Sequence, residues 1–163
     1  MDNPWVTALV IAGVAAALGI GGLATLGVRS RRMQPEFALS LPLPECGSGL
    51  NCASSGAPTE GSAHIPAIAL AEPLADPGAL QRAIQNWVSA EPKMTVVQEQ
   101  LAGDSYAAHL SQASPTFGFT DDILLIQDGP VLQVYSAARV GQGDLGMNRA
   151  RLERLRTRLE PLP

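Results

Sequence analysis

Two adjacent carboxylates, Asp121 and Asp122, are the residues whose type and spacing first suggest acid–base chemistry in this chain. Two carboxylates can share the roles of general acid and general base only when both face one site. The residues around them are typical of a β-strand, and successive side chains of a strand point to opposite faces. We therefore predict structural ion pairs rather than a catalytic dyad, with Arg139 on the next strand as a partner.

A glycine motif follows these aspartates, because residues 141–146 read GQGDLG and match the spacing G-x-G-x-x-G. In dinucleotide-binding proteins this spacing needs a second strand and an acidic residue about 20 positions further on. Only 17 residues follow Gly146. We therefore interpret the motif as a turn in which Asp144 caps the last helix, with Arg139 or Arg149 as its ion-pair partner.

The two cysteines, Cys46 and Cys52, have the spacing C-x5-C, which permits a small disulfide-closed loop or a reduced pair. The spacing is not the C-x-x-C of thioredoxin-like redox sites. Metal binding would need further ligands, and His64 is the one histidine near them in the sequence. A structural loop is the preferred interpretation, with its redox state left open.

A hydrolase triad is the remaining catalytic possibility, since His64 and His109 could be combined with a hydroxyl or thiol group. The candidate nucleophiles are Ser54, Ser55 and Cys52. No nucleophile-elbow motif supports any of them. The sequence thus predicts no catalytic residue, no cofactor-binding residue, no cofactor and no metal ligand.

The first element that positions these groups is an apolar segment, Trp5 to Val28, of 24 residues without a charge. As a helix it would be roughly 36 Å long, enough for a hydrocarbon core of about 30 Å. The basic leader of a cleaved signal peptide is missing, so a retained single span is predicted. Arg29, Arg31 and Arg32 follow the span, whereas Asp2 precedes it. This asymmetry favours an outside N-terminus and a cytoplasmic domain, while the cysteine pair favours the periplasm as an alternative.

Small residues recur at every fourth position of this span, and such a ridge lets another membrane helix approach closely. These predicted helix–helix contact residues are Gly13, Ala17, Gly21 and Thr25.

The rest of the chain predicts an α+β fold, an antiparallel sheet with flanking helices. A helix is expected over 77–90, capped by Asp76, and another over 146–159. Strands are expected over 93–101, 105–113, 117–127 and 131–140. Three parts result: a membrane anchor with its basic flank (1–32), a proline-rich linker with the cysteine loop (33–65) and an α+β domain (66–163).

Charge is unevenly distributed along the chain, whose net charge of −4 argues against a nucleic-acid partner. Residues 139–163 carry +3, whereas residues 33–138 carry −9. The last helix therefore docks onto its own acidic sheet or meets anionic lipid headgroups or an acidic partner subunit. The arginines proposed for such a surface are Arg151, Arg154, Arg156 and Arg158.

Three blocks of sequence resemble the DUF1499 family, a bacterial and plastid family: NCASS at 51–55, DD at 121–122 and SAARVGQGDLGMNRAR at 136–151. The resemblance covers residues 44–160. The chain departs from the family pattern at Gly47, at Ile123–Leu124, at Tyr135 and at Ala138, where proline, an acidic–aromatic pair, arginine and serine are usual. These losses favour a structural role over a catalytic one.

The expected function is that of a non-enzymatic, membrane-anchored accessory, structural or assembly subunit of a larger membrane complex. Its partners would be other membrane subunits and membrane lipids. The family resemblance implies a photosynthetic or respiratory setting in an inner or photosynthetic membrane. One alternative is a small module that binds a lipid or another apolar ligand between sheet and helices. Another is a thiol-dependent enzyme.

Overall fold

The computed structural model describes residues 4–47 and 50–160, and it begins with one long helix, α1 (Pro4–Arg32). Its segment Ala8–Arg32 is long and apolar enough to cross a membrane. Asp2, on which the predicted orientation depends in part, lies outside the described residues, as do two residues of the cysteine loop and the last three of the predicted domain.

A single antiparallel sheet forms the centre of the remaining chain. Its strands are β1 (Cys52–Ser54), β2 (Ile68–Ala69), β3 (Met94–Ala102), β4 (Ser105–Ala113), β5 (Thr120–Asp128) and β6 (Val131–Ala138). The strand order is β1-β6-β5-β4-β3, and β2 also pairs with β6. The predicted α+β class, with flanking helices and an apolar N-terminal helix, is confirmed.

Two amphipathic helices, α2 (Pro77–Ala90) and α3 (Met147–Leu159), cover one face of the sheet. The Asp76 side chain accepts a 2.8 Å hydrogen bond from the Ala79 amide, so the predicted cap of α2 is confirmed. The apolar stripes of both helices bury large side chains, Trp87 of α2 and Leu155 of α3 among them, against the central strands.

The opposite face of the sheet is covered by residues 33–46, a segment that we call the strap. Phe37, Leu39 and Leu43 of the strap pack against Leu124 and Tyr135. Because both faces are covered, the side chains of residues 123–126 in β5 are all buried.

The predicted linker takes part in this fold. Its residues Cys52–Ser54 form β1, which pairs with 135–137 of β6, and its Ile65 is fully buried in the core between sheet and helices. The folded unit therefore starts well before residue 66, because strap and β1 have apolar partners that become adjacent only after the sheet forms.

The boundaries of three strands and one helix differ from the prediction. Both ends of β3 and the end of β5 lie one residue later than predicted. Strand β5 starts at Thr120 rather than at residue 117, since Gly118 has a φ of 69° and interrupts the extended backbone. Strand β6 ends at Ala138 rather than at residue 140. Gly146 is the N-cap of α3, with a φ of 79°, rather than its first helical residue.

Helix α1 is docked onto the domain at its C-terminal end. The Ser30 hydroxyl accepts a 2.8 Å hydrogen bond from the Thr120 amide, and Arg31 donates to the Phe117 carbonyl. A Cβ atom on Gly27 would overlap that carbonyl oxygen, so glycine is needed for this approach. The contact holds the end of the apolar helix against the start of β5.

Candidate functional site

Asp121 and Asp122 point to opposite faces of the sheet and form two separate polar clusters. On the helix face, Arg151 of α3 donates to Asp121 at 2.6 Å and to Gln112 at 2.6 Å. The same guanidinium donates to Ser136 at 2.8 Å and to Asn148 at 2.6 Å. We call these five residues the Arg151 cluster. It joins α3 to β4, β5 and β6.

The Asp121 carboxyl has a raised pKa in this cluster. Burial is the largest cause, and it outweighs the opposing effect of Arg151, while the neighbouring charges of Asp144 and Asp122 raise the pKa further. The cluster therefore holds a carboxyl that is harder to ionise than an ordinary aspartate.

On the strap face, Asp122 lies between two cationic or hydrogen-bonding partners. Arg139 makes a bidentate contact with its carboxylate, at 2.7 and 2.8 Å, and His109 Nε2 lies 2.7 Å from Oδ1. We call these three residues the Asp122 cluster. Arg139 also donates to the carbonyls of Ser30 and Met33, so the cluster is linked to the end of α1.

Electrostatics within the Asp122 cluster favour the ionised carboxylate. Burial alone would raise the pKa of Asp122, but the hydrogen bonds from Arg139 and His109 outweigh burial and lower it. The Phe37 ring contacts His109 edge-on at a centroid distance of 4.9 Å. Burial and the Asp122 charge raise the pKa of Tyr135, which lies on the same face. This arrangement is a shielded ion pair.

A groove of about 620 Å³ lies between the end of α1 and the domain. One wall is formed by Leu23 and Leu26 of α1, and Phe119 and Val140 line the groove from the domain. Its polar lining includes Asp121 and Gln112 of the Arg151 cluster. The full set of charged lining residues is Glu91, Asp121, Asp144, Arg151 and Arg154. The groove thus combines an apolar wall with a charged floor.

The loop before α3 forms one rim of this groove. Leu145 is fully exposed and has a φ of 55°, a left-handed conformation that is costly for a leucine. Met147 beside it is half exposed and also lines the groove. Strained conformations of this kind cluster at functional sites, which makes Leu145 a candidate ligand contact.

The glycine motif is a turn, and the Asp144 side chain caps the first turn of α3, although the N-cap residue itself is Gly146. The Asp144 carboxylate accepts hydrogen bonds from the Gly146 and Asn148 amides and from the Asn148 side chain, at 2.6 to 2.9 Å. Asp144 therefore supports the start of α3 from two residues before the N-cap. The predicted partner Arg139 binds Asp122 instead, and Arg149 donates to the carbonyls of residues 62 and 64. The register of β5 with β6 sets the pairing of Arg139, and the docking of α3 sets that of Arg149.

Cys46 and Cys52 form a disulfide that connects the strap to β1. The ridge Gly13, Ala17, Gly21 and Thr25 is exposed along α1, and a Cβ atom on Gly13 or Gly21 would meet nothing within 4 Å. Thr25 donates to the Gly21 carbonyl within the helix.

The four arginines predicted to face an outside partner have different environments. Arg151 is buried in its cluster, because Asp121 and Gln112 lie directly beneath α3, so its assignment to an outer surface was wrong. Arg156 is mostly buried and pairs with Glu153 and Glu160. Only Arg154 and Arg158 are exposed.

Several residues of the site were not predicted. The sequence suggests His109 only as a member of a hydrolase triad, and it assigns no role to Gln112, Ser136 or Asn148. The alternation of side chains along β4 places His109 on the same face as Ala107 and opposite to Tyr106 and Ala108. This alternation is the sequence signal that assigns His109 to the strap face. Among the described residues, no group of three or more His, Cys, Asp or Glu side chains could hold a metal ion.

The fold and the groove define a class of protein: an α+β domain with a helix-covered sheet, joined to an apolar helix that can cross a membrane. A family model described as "Protein of unknown function (DUF1499)" matches residues 42–159. The chain therefore belongs to the DUF1499 family, as the resemblance predicted. No curated protein and no solved structure matches it.

Proposed function

We propose that this protein is a membrane-anchored binding module that holds an amphipathic lipid in the groove between α1 and the domain. The observation that carries the proposal is the groove itself, whose volume of about 620 Å³ is in the range of small-molecule sites. For the binding-module alternative, the sequence predicted a ligand site between the sheet and its covering helices, but core side chains fill that space. The proposed ligand site lies instead at the end of the sheet where β5 begins and β4 and β6 end.

A lipid is favoured over a soluble ligand because of where the apolar wall lies. Leu23 and Leu26 are part of the segment that can span a bilayer. Their positions near the end of that segment put the groove at the level of the headgroups. An acyl chain could therefore lie along α1 while its headgroup meets the polar floor, and Leu145 would extend the apolar rim.

The domain's side of the membrane remains a proposal as well. The arginines at the end of α1 favour a cytoplasmic domain in an inner or photosynthetic membrane. The disulfide favours the periplasm, the alternative. Fusing alkaline phosphatase or a fluorescent protein to the C-terminus distinguishes them, since phosphatase is active only in the periplasm.

The proposal is tested by extracting the full chain in mild detergent and measuring bound lipid by native mass spectrometry. We expect stoichiometric lipid on the wild type. Gly27→Ala should lose most of it, because the added Cβ overlaps the Phe117 carbonyl and displaces α1. Gly22→Ala is the matched control, since a Cβ there meets nothing within 4 Å. Equal lipid on both variants, or none on the wild type, would refute the proposal.

Leu145→Asn gives a second test that does not move α1. Asparagine tolerates the left-handed conformation better than leucine, so the fold should be retained or slightly stabilised. The loss of the apolar rim should reduce lipid retention. Unchanged retention would exclude Leu145 from the site.

A second candidate function, an accessory or assembly subunit of a membrane complex, is supported by the exposed ridge of α1. Gly13→Leu would block a close helix partner without disturbing any contact within the described chain. We expect it to release co-purifying subunits, while Gly19→Leu, off the ridge, should not. The third candidate, a thiol-dependent enzyme, lacks a free thiol while the disulfide is formed.

A further inference from the structure

We infer that the groove selects a phospholipid whose headgroup carries a primary ammonium over one whose headgroup is net anionic. This inference rests on the proposed function, since it concerns the ligand of the same groove. It follows from the signs of the charged side chains that line the groove and from which of them are exposed enough to contact a ligand.

The charged lining has one carboxylate more than it has guanidiniums. Asp121 is paired with Arg151 at 2.6 Å, and Glu91 lies 3.8 Å from Arg154. Asp144 is the remaining charge, and its described hydrogen bonds come from amides rather than from a cation. The groove therefore has a formal charge of −1, which disfavours an anionic headgroup.

The two guanidiniums differ in what they can offer to a lipid phosphate. Arg151 donates four hydrogen bonds within its cluster, and only 5% of its side chain is exposed. Arg154 has 46% of its side chain exposed and a long contact to Glu91. Arg154 is thus the group that can meet the phosphate of a lipid.

The carboxylates give the complementary contact. An ammonium has three N–H donors and can bind carboxylate oxygens, which are acceptors. Asp144 is the main acceptor, since Glu91 is only 13% exposed and already accepts from Trp87 Nε1 and Gln112, and Glu91 adds its negative charge to the site. A phosphate on Arg154 and an ammonium on the carboxylates together match a zwitterionic ethanolamine headgroup. A glycerol headgroup would leave the excess carboxylate uncompensated.

The basic end of α1 does not cancel this charge. Arg29 and Arg32 line a separate shallow cleft with Thr25 and Val28. Leu23 and Leu26, which line the groove, lie on another side of the helix, as a rotation of about 100° per residue requires. Arg31, the third arginine of this flank, donates to the Phe117 carbonyl and is not among the residues that line the groove. None of the three arginines therefore lines the groove.

The experiment is a competition in bilayers. The full chain is reconstituted in nanodiscs with equal amounts of phosphatidylethanolamine and phosphatidylglycerol, and the retained lipid is identified by native mass spectrometry. Glu91→Gln makes the groove neutral, and Arg154→Gln gives it a charge of −2. Each step should move the ratio of retained lipids about threefold, the effect of one unit charge at ~7 Å in a water-like dielectric.

Matched controls change the same charges elsewhere on the protein. Glu60 and Arg82 are exposed and do not line the groove. Glu60→Gln and Arg82→Gln should leave the lipid ratio of the wild type unchanged. If they shift it as much as the groove variants do, the preference is a property of net charge and the inference is wrong.

The remaining outcomes separate this inference from the proposed function. Lipid retained with no preference, or with the anionic lipid preferred, overturns the headgroup selection and leaves the lipid-binding proposal standing. No lipid retained by the wild type overturns both. A wild-type preference for ethanolamine that falls in Glu91→Gln and rises in Arg154→Gln supports the selection.

Discussion

Replacing Arg139 with methionine is the sharpest test of how this domain is held together. Arg139 is the bidentate partner of Asp122, and it also donates to the carbonyls of Ser30 and Met33 at the end of α1. The methionine keeps much of the apolar stem and removes the guanidinium. The change should therefore destabilise the sheet and loosen α1 together.

The expected magnitude follows from burial. The side chains of Asp122 and Arg139 are only 4% and 7% exposed. Removing Arg139 leaves the buried Asp122 carboxylate with His109 as its remaining side-chain partner. Breaking a buried ion pair in this way typically costs about 3–5 kcal/mol. Since a domain of this size is stable by roughly 5–15 kcal/mol, the loss should be a large part of the total.

The assay is guanidinium unfolding of the full chain in detergent micelles, followed by the near-ultraviolet dichroism of the buried Trp87. Arg149→Met is the control, because Arg149 donates to two carbonyls rather than to a carboxylate. We expect the control to cost about 1–2 kcal/mol. Adding Asp122→Asn to Arg139→Met should recover part of the loss, since it removes the stranded charge.

Two results would refute this reasoning. If Arg139→Met and Arg149→Met lowered the unfolding free energy equally, the ion pair with the buried Asp122 carboxylate would contribute no more than hydrogen bonds to carbonyls. A double variant that is less stable than Arg139→Met alone would mean that the Asp122 charge is not the source of the loss.

Three further predictions concern protonation and the disulfide. The folded-state pKa of Asp122 is lowered, so its contribution to stability should be present above about pH 4 and lost as the pH falls. The folded-state pKa of Asp121 is raised, so its contribution to stability should be present below about pH 4 and lost as the pH rises. The unfolding free energies of Asp121→Asn and Asp122→Asn, measured from about pH 2 to 6, should therefore diverge from that of the wild type in opposite directions. Parallel curves would contradict these pKa shifts. Burial raises the pKa of Tyr106 and of Tyr135, the two tyrosines of the chain, above the ordinary tyrosine pKa of about 10. At about pH 10.5 the absorbance at about 295 nm should therefore show little tyrosinate as long as the protein stays folded. Reducing the disulfide, whose cysteines are six positions apart, should lower the unfolding free energy by about 2 kcal/mol, and no change on adding reductant would mean that the strap is held by packing alone.

The helices and most strands could be predicted from the sequence because their signals are local. The Asp76 cap and the apolar stripe determined α2, and the alternation of residues determined β4 to the residue. The same alternation predicted that Asp121 and Asp122 point to opposite faces. These signals depend on neighbours a few positions away.

The partners of the charged side chains could not be predicted in the same way. The sequence predicted Arg139 as a partner of the two aspartates but not that it would bind Asp122, 17 positions earlier in the chain, rather than Asp121. It did not pair Arg151 with Asp121, 30 positions earlier. Both choices depend on the register of β5 with β6 and on the docking of α3. Arg151 follows the first of the two alternatives for the last helix, contact with its own acidic sheet. The charge of the helix does not separate this alternative from an exposed surface until the facing strand residues are known.

The sequence by itself determined the apolar helix, the α+β class and the family. Composition and short-range periodicity indicate which segments favour a lipid environment, a helix or a strand. The family could be assigned because its characteristic blocks are continuous stretches of sequence. The groove was decided by the tertiary structure alone. Its walls come from positions as far apart as Leu23 and Arg154. They become adjacent only when Gly27 lets α1 approach the start of β5 and the sheet brings α3 to the same end of its strands.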